Sequence, residues 1–146
     1  MTVASSGKEV AARLEQQFIS DIIESNDRFI LVKKEAVHDI ISYLKTDPEL
    51  DFNFLNYVTA VDYLDYFEVV YQLTSLKHNH DIVIKTRCYG RENLSVPSIV
   101  DLYSTANVQE RETYDLMGIR FEGHPNLTRI FLWEGFEGYP QRKDYL

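Results

Sequence analysis

The chain has 146 residues, 45% hydrophobic and 26% charged, which is ordinary for a single globular domain. Its net charge is −8, and the whole acidic excess lies in residues 1–117. An acidic surface repels nucleic acid and anionic lipid at long range, which argues against both as partners. The single cysteine, Cys88, excludes an internal disulfide and an all-cysteine metal site. No apolar run approaches the roughly 20 residues that a membrane span needs, so no direct span is expected.

The first 50 residues predict two helices with a short strand between them. Ser6 and Glu9 have capping-box spacing, so the first helix should begin near Ser6. Apolar residues then recur at helical spacing at Val10, Ala11, Leu14, Phe18 and Ile22. Residues 28–32 suit a short strand. The second helix is predicted over 34–45, ending before Asp47-Pro48, with an apolar face of Val37, Ile40, Ile41 and Leu44.

The middle of the chain has the pattern of an antiparallel sheet. Residues 53–63 are rich in β-branched and aromatic side chains, and 64–66 suit a turn. In the next segment a predicted buried face of Phe67, Val69, Tyr71 and Leu73 alternates with Glu68, Val70, Gln72 and Thr74. Residues 77–81 predict a hairpin loop before a third strand, whose inner side comprises Ile82, Ile84, Thr86 and Cys88.

Two short helices are predicted to follow. Ser98 with Asp101, and Asn107 with Glu110, repeat the capping-box spacing, and Gly118 is placed to end the second helix in a left-handed turn. The predicted order α-β-α-β-β-β-α-α indicates an α+β fold, an antiparallel sheet with helices packed on one face. Residues 1–117 would form this domain.

Residues 118–146 are predicted to form an extended C-terminal arm of the same domain. They hold four of the six glycines and two of the four prolines, which prevents long regular elements. They also hold six aromatic residues, which would not stay in water without cost. The arm could fold back on its own domain or lie partly on another protein, since exposed aromatics with arginine mark interfaces.

The histidines offer weak candidate sites. His124, before Pro125, could act as a general base, but no nucleophile or orienting group accompanies it. A hydrogen bond within a turn fixed by Pro125 is the favoured interpretation. His78, His80 and Asp81 could bind zinc or iron, although a polar hairpin tip has the same composition without metal.

Other chemistry is also weakly indicated. Asp62 and Asp65 could pair as acid and base, but solvated turn residues are favoured. The segment Gly135-Phe136-Glu137-Gly138 lacks the spacing and context of a phosphate-binding loop, so nucleotide binding is not expected.

The charges near residue 110 are more informative. On a helix, Glu112 and Asp115 would interrupt an apolar stripe with Val108 and Ile119, and Arg111 could pair with Asp115 four residues on. A solvated charged face is one interpretation. The other is that these carboxylates pair with cations of the arm and shape a docking surface, because a buried carboxylate without a partner is costly. The residues assigned to this surface are Glu110, Arg111, Glu112, Asp115, His124, Pro125, Arg129, Arg142, Lys143 and Asp144.

The segments 110–119 (ERETYDLMGI), 121–130 (FEGHPNLTRI) and 138–145 (GYPQRKDY) closely resemble one family. It is the hydrophilic subunit of the 30-kilodalton type, the C subunit in bacteria, of the membrane-bound NADH:quinone oxidoreductase known as respiratory complex I. Residues 58–63 and 69–71 are similar to the central hairpin of that family. Val108 and Gln141 depart from the aromatic and the leucine that many members have there.

The resemblance implies a non-catalytic structural subunit of the peripheral arm of a proton-translocating enzyme, supporting electron transfer to quinone. The implied partners are the large quinone-site subunit and the subunit holding the terminal cluster, with no small-molecule substrate. Flavin, iron–sulfur clusters and quinone would belong to partner subunits, so this chain would bind no cofactor. Its expected location is the cytoplasmic side of the cell (inner) membrane, peripheral through the complex. Two alternatives stay open: the equivalent subunit of an energy-converting hydrogenase or a ferredoxin- or deazaflavin-linked dehydrogenase, and a free-standing small enzyme or ligand-binding domain.

Overall fold

The computed structural model describes residues 3–4, 7–133 and 136–144. Within this part of the chain three helices and eight strands follow one another, with one 3-10 turn at Lys34–Ala36 before the second helix. The helices are α1 (Gly7–Phe18), α2 (Val37–Thr46) and α3 (Ala106–Met117). The strands are β1 (Val3–Ala4), β2 (Ile22–Ser25), β3 (Ile30–Val32), β4 (Phe54–Asp62), β5 (Tyr66–Ser75), β6 (His80–Tyr89), β7 (Ser95–Pro97) and β8 (Arg120–Glu122).

The main sheet has the strand order β2-β3-β6-β5-β4, and β1 pairs with β6 beside this path. The long strands β4, β5 and β6 form an antiparallel meander, whereas β3 and β1 each run parallel to β6. Strands β7 and β8 form a separate parallel pair. The predicted α+β class with a mostly antiparallel sheet is confirmed.

The core lies between the helices and one face of the sheet. Every second residue of β5 is directed into it, which confirms the predicted buried face of Phe67, Val69, Tyr71 and Leu73. The predicted inner side of β6 and the apolar face of α2 are buried on the same side of the sheet. Apolar side chains of all three helices contribute to this core.

Three local predictions are wrong. Ile22 does not continue the first helix but begins β2. Ser6, the predicted N-cap of that helix, lies outside the described residues. Residues 98–105 form turns rather than a helix. Glu110 takes no part in a capping box, since it lies fully buried inside α3. The predicted stop of that helix is confirmed, because Gly118 adopts a left-handed φ of 79°.

The first residues of the predicted arm lie in the domain. Ile119 and Phe121 are buried, and Ser98 donates its backbone N–H to the carbonyl of Glu122 beside the β7–β8 pair. Beyond residue 122 the described chain forms turns and irregular structure that return to α3 and the end of β4. The described part of the arm without regular structure therefore begins at residue 123.

Candidate subunit-docking site

The C-terminal end of α3 holds the arm through one buried carboxylate. Asp115 is fully buried, and its Oδ1 accepts a hydrogen bond from Arg129 Nε at 2.5 Å. Its Oδ2 accepts three consecutive backbone N–H groups, from Ile130 at 3.1 Å, Phe131 at 2.7 Å and Leu132 at 3.1 Å. Residues 130–132 form no helix or strand, so the Asp115 carboxylate accepts the hydrogen bonds that a neighbouring backbone would accept in regular structure.

Arg129 completes this contact from the arm. Its guanidinium donates to the backbone carbonyl of Asp115 and to those of Phe136 and Gly138. It also stacks over the rings of Phe136 and Tyr139, at 5.4 and 5.1 Å from their centroids. The carboxylate and its arginine therefore hold two parts of the arm at one point, the N–H groups of residues 130–132 and the carbonyls of Phe136 and Gly138. We call this contact the Asp115–Arg129 clamp.

The clamp keeps Asp115 ionised. Burial alone raises the pKa of its carboxyl, but the N–H of Phe131, the Arg129 guanidinium and the N–H groups of Leu132 and Ile130 together outweigh burial. The pKa of Asp115 is therefore lowered. Arg111 does not pair with Asp115; it donates instead to the backbone carbonyls of Thr128 and Arg129 in the same segment.

The arm segment held in this way presents two large aromatic side chains to the outside. Phe131 is 61% exposed and Trp133 is 67% exposed. Phe131 also borders a cavity of about 300 Å³ at the edge of β4, together with Thr59, Glu112 and Gln141. Large apolar side chains held in water at nearby positions are typical of an interface. We call residues 128–133 the arm loop.

A second buried carboxylate fixes the end of the arm. Asp62, at the end of β4, is 3% exposed and forms a bidentate pair with Arg91 at 2.7 and 2.8 Å. It also accepts the backbone N–H of Lys143 at 2.8 Å, while Arg91 bonds Asp144. The hydrogen bonds from Arg91 hold the pKa of Asp62 well below its usual range.

The prediction that Asp62 is a solvated turn residue is therefore wrong, although Asp65 is exposed as expected. Asp62 and Arg91 are the residues that sequence reasoning missed. Arg91 lies 29 positions from Asp62 along the chain and Lys143 lies 81 positions away, so no local pattern could have indicated them. The only signal was an Asp at the end of a strand whose neighbours are apolar.

The arm has two anchors, the Asp115–Arg129 clamp and the Asp62–Arg91 pair, and Arg142 lies between them. It donates to the backbone carbonyls of Met117 and Arg91, and its guanidinium stacks over Phe67 and Tyr139. Burial, and then the charge of Arg91, lowers the pKa of Arg142. Arg142 packs so closely on Gly118 that a Cβ there would lie 2.5 Å from Arg142 Nη2. The glycine is required both by this contact and by its backbone conformation.

Glu110 belongs to the interior rather than to a docking surface. Its oxygens accept hydrogen bonds from the Ser98 hydroxyl at 2.5 Å and from the Ile99 N–H at 2.9 Å. Burial raises the pKa of Glu110 to about 7. Glu112 is half-buried on the side of the helix that faces β4.

The remaining predicted site residues lie in turns of the arm. His124 accepts the backbone N–H of Asn126 at Nδ1, so its Nε2 donates to the carbonyl of Asn107 at 3.1 Å. The predicted hydrogen bond of His124 within a turn is confirmed. Pro125, Lys143 and Asp144 are exposed.

The weaker candidates find no support in the described part of the chain. His78 bonds the backbone carbonyl of Pro48, and no three histidine, cysteine or acidic side chains of the described residues are gathered for a metal ion. Gly135 lies outside the described residues. None of the described helices is long and apolar enough for a membrane crossing.

These features define a class: a small α+β domain whose buried ion pairs hold an irregular arm with an aromatic surface. The family model described as "Respiratory-chain NADH dehydrogenase, 30 Kd subunit" matches residues 30–146. The chain therefore belongs to the 30-kilodalton subunit family of respiratory-chain NADH dehydrogenase.

Individual relatives agree with this assignment. The C subunit of NADH-quinone oxidoreductase from Roseiflexus castenholzii is 41% identical over 97% of this chain and 85% of its own length. The second such C subunit of Rhizobium meliloti is 46% identical over 78% of this chain and 63% of its own length. The mitochondrial NADH dehydrogenase iron-sulfur protein 3 of Candida albicans is 46% identical over 80% of this chain and 42% of its own length.

A solved structure has the same fold. A chain of the membrane-bound sulfane sulfur reductase, an archaeal respiratory membrane complex, superposes with a TM-score of 0.76. The match covers 95% of this chain and 85% of the other, at 24% sequence identity. At that identity the likeness concerns the fold alone.

Proposed function

We propose that this chain is a non-catalytic structural subunit in the peripheral arm of a proton-translocating NADH:quinone oxidoreductase. It docks against the subunit that forms the quinone site, close to the subunit that holds the terminal cluster, and so supports electron transfer to quinone. It lies on the cytoplasmic side of the cell membrane and is attached there through the complex. The observation that carries the proposal is the arm loop, two exposed aromatic side chains on an ionic anchor.

The anchors support docking because they fix the arm before a partner arrives. A segment of glycine, proline and aromatic residues would otherwise lose considerable conformational freedom on binding. In this chain the buried carboxylates of Asp115 and Asp62 hold it in one conformation. Asp115, Arg129 and Arg142 therefore act through the shape of the surface, whereas Phe131 and Trp133 would contact the partner.

The described residues also offer no catalytic constellation that would favour an enzyme of its own. Both ring nitrogens of His124 form hydrogen bonds with the backbone, Nδ1 with Asn126 in its own turn and Nε2 with Asn107 of α3. The buried carboxylates of Asp62 and Asp115 are occupied by arginine and backbone donors. We also propose that flavin, iron–sulfur clusters and quinone are bound by partner subunits. Metal analysis and absorbance of the purified chain test this assignment, and stoichiometric iron or flavin in the chain would contradict it.

Assembly of the native complex tests the docking role. Phe131→Ser and Trp133→Ser remove exposed side chains, so the isolated variants should keep the stability of the wild type. We expect each variant to be recovered in the complex at about a tenth of the wild-type level or less, since exposed anchors of this type contribute about 2 kcal/mol or more to binding. Ile19→Ser is the matched control, because Ile19 is 72% exposed just beyond the end of α1.

Three outcomes are distinguishable. Normal recovery of both arm variants would refute the docking role of the arm loop. A wild-type chain that purifies without partners would favour a free-standing domain instead. If the other subunits of the complex belong to a hydrogenase or to a ferredoxin-linked dehydrogenase, the docking role stands but the parent complex is a different enzyme.

A further inference from the structure

The face of the sheet opposite the helices carries a groove. Side chains of β5 that are directed away from the core, at Glu68 and Val70, lie beside Val61 and Thr59 of β4. On the other side they lie beside Arg87 and Lys85 of β6. A groove of about 450 Å³ follows this face, and its lining residues are Arg28, Phe29, Tyr57, Thr59, Val61, Tyr63, Glu68, Val70, Val83 and Lys85. We call it the open-face groove.

The walls of the groove are aromatic and apolar, and they remain in contact with water. Tyr57 and Val61 are each 37% exposed and Tyr63 is 45% exposed. Val70 forms a buried floor at 8% exposure. Exposed tyrosines around an apolar floor are the composition of a protein-binding surface.

The charge in the groove is opposite to that of the chain. Glu68 is buried, and it pairs with both Lys85 and Arg87 at 3.2 Å, so one acid faces two bases. Arg28 is exposed at the rim. Among the described residues that line the groove, Glu68 is the only acidic one, although the chain as a whole has a net charge of −8. The groove therefore presents a local cationic surplus on an acidic molecule.

We propose that the open-face groove binds a segment of a partner protein that carries a carboxylate beside apolar side chains. Arg28 and Lys85 outnumber Glu68 among the lining residues, and this excess positive charge attracts the carboxylate. The tyrosines and Val70 provide the apolar contact. The acidic body disfavours an anionic membrane surface as the occupant, because the whole molecule would be repelled from it.

The groove also continues towards the arm loop. Thr59 borders both the open-face groove and the cavity beside Phe131 at the edge of β4. A partner that covers Phe131 can therefore extend around this edge onto the open face. In this respect the inference rests on the proposed docking role, and it adds a second contact of defined chemistry.

Photo-crosslinking in the native complex tests the inference. Benzoylphenylalanine in place of Tyr57 should crosslink to a partner segment that contains aspartate or glutamate within a few residues of the crosslinked position. The same probe in place of Ile19, just beyond α1, is the control.

The outcomes separate this inference from the docking role of the arm. A crosslink to lipid alone, a crosslink to a segment without an acid, or an assembled complex with no crosslink from position 57 would each overturn the inference. The last result would leave the docking role of the arm intact. Failure of assembly by the wild-type chain would instead refute that role itself.

Charge reversal gives an independent test. Arg28→Glu should slow incorporation of the labelled chain into complex that lacks it by about fivefold at low salt, because rim charges act mainly on association. The difference should vanish at about 0.5 M salt, where such charges are screened. Lys77→Glu, an exposed reversal in the β5–β6 turn, is the matched control. Equal rates for Arg28→Glu and Lys77→Glu would overturn the assignment of an acidic partner segment.

Discussion

The Asp115–Arg129 clamp predicts a large effect from one isosteric change. In Asp115→Asn, a side-chain NH2 replaces one of the two acceptor oxygens. If it is directed towards Arg129, it opposes a guanidinium donor at a site where Asp115 is fully buried. If it is directed towards the arm loop, it opposes three backbone N–H groups. Either orientation leaves donors without an acceptor.

The size of the effect follows from the loss of the charged partner of Arg129. Breaking a buried ion pair by removing one partner costs about 3–5 kcal/mol. Arg129 retains 13% exposure of its side chain, and the arm loop can move into water, so the lower end of this range applies. We expect a loss of about 3 kcal/mol in the free energy of unfolding at pH 7. Because the folded-state pKa of Asp115 is lowered, the stabilisation is present above the unfolded pKa of about 3.9 and is lost as the pH falls below it.

Denaturant titration measures the stability, and hydrogen exchange at the amides of residues 130–132 locates the change. Those three amides should lose protection in Asp115→Asn before the sheet does. Glu112→Gln on the same helix is the control and should change the stability by less than about 0.5 kcal/mol. A loss below about 1 kcal/mol with full protection of residues 130–132 would refute the clamp.

Three further predictions concern the interior. Tyr71→Ala should lower the free energy of unfolding by about 3–5 kcal/mol in denaturant titration, because it truncates a buried aromatic side chain. Tyr71→Phe should lower it by less than about 1 kcal/mol, because the buried hydroxyl has no hydrogen-bond partner among the described residues. Equal losses in the two variants would show that the hydroxyl does form a hydrogen bond. Burial raises the pKa of Glu110 to about 7, so the folded state holds its proton over a range where the unfolded state releases it, and stability falls as pH rises from about 4.5 to 7. Glu110→Gln should therefore be more stable than wild type at pH 8 by up to ~3 kcal/mol, with the difference shrinking towards pH 4.5, and parallel pH profiles would contradict this. Gly118→Ala should destabilise the domain by about 1–2 kcal/mol and displace the arm, because its left-handed φ and its contact with Arg142 both oppose a Cβ. Thermal unfolding measures the loss, and hydrogen exchange at the amides of Gln141 and Arg142 measures the displacement. Gly123→Ala, which has open space at a similar φ, is the control, and an equal loss in both variants would show that contact with the arm adds nothing.

The meander was predicted well from the sequence because its pattern is local. Alternation along β5 identifies Phe67 and Tyr71 as buried without knowledge of any partner strand. It could not show that Glu68 is buried as well, since that depends on Lys85 and Arg87 of the paired strand. Burial on the second face comes from cross-strand ion pairs, which single-strand periodicity does not contain.

Elements that depend on distant contacts were predicted poorly. Ile22 fits the helical spacing of the preceding apolar residues, but pairing with β3 makes it part of a strand. Strands β7 and β8 have three residues each, too few for a period to be read. The sequence predicts that an acid of the helix pairs with a base of the arm, without saying which ones. The structure shows that the pair is Asp115 with Arg129. The local sequence indicates a solvated turn for Asp62 because its partners Arg91 and Lys143 are far away along the chain.

The two anchors together separate the residues that shape the arm from the residues that would touch a partner. Asp115 lies inside the molecule, yet it determines where Phe131 is held. A surface ordered in advance loses less conformational entropy on binding. Asp115→Asn should therefore weaken assembly and also release the arm loop in hydrogen exchange. Phe131→Ser should weaken assembly while exchange of the isolated chain stays as in wild type. If Asp115→Asn assembled normally with a mobile arm loop, preorganisation would contribute nothing to docking, and the ionic anchors would serve the stability of the domain alone.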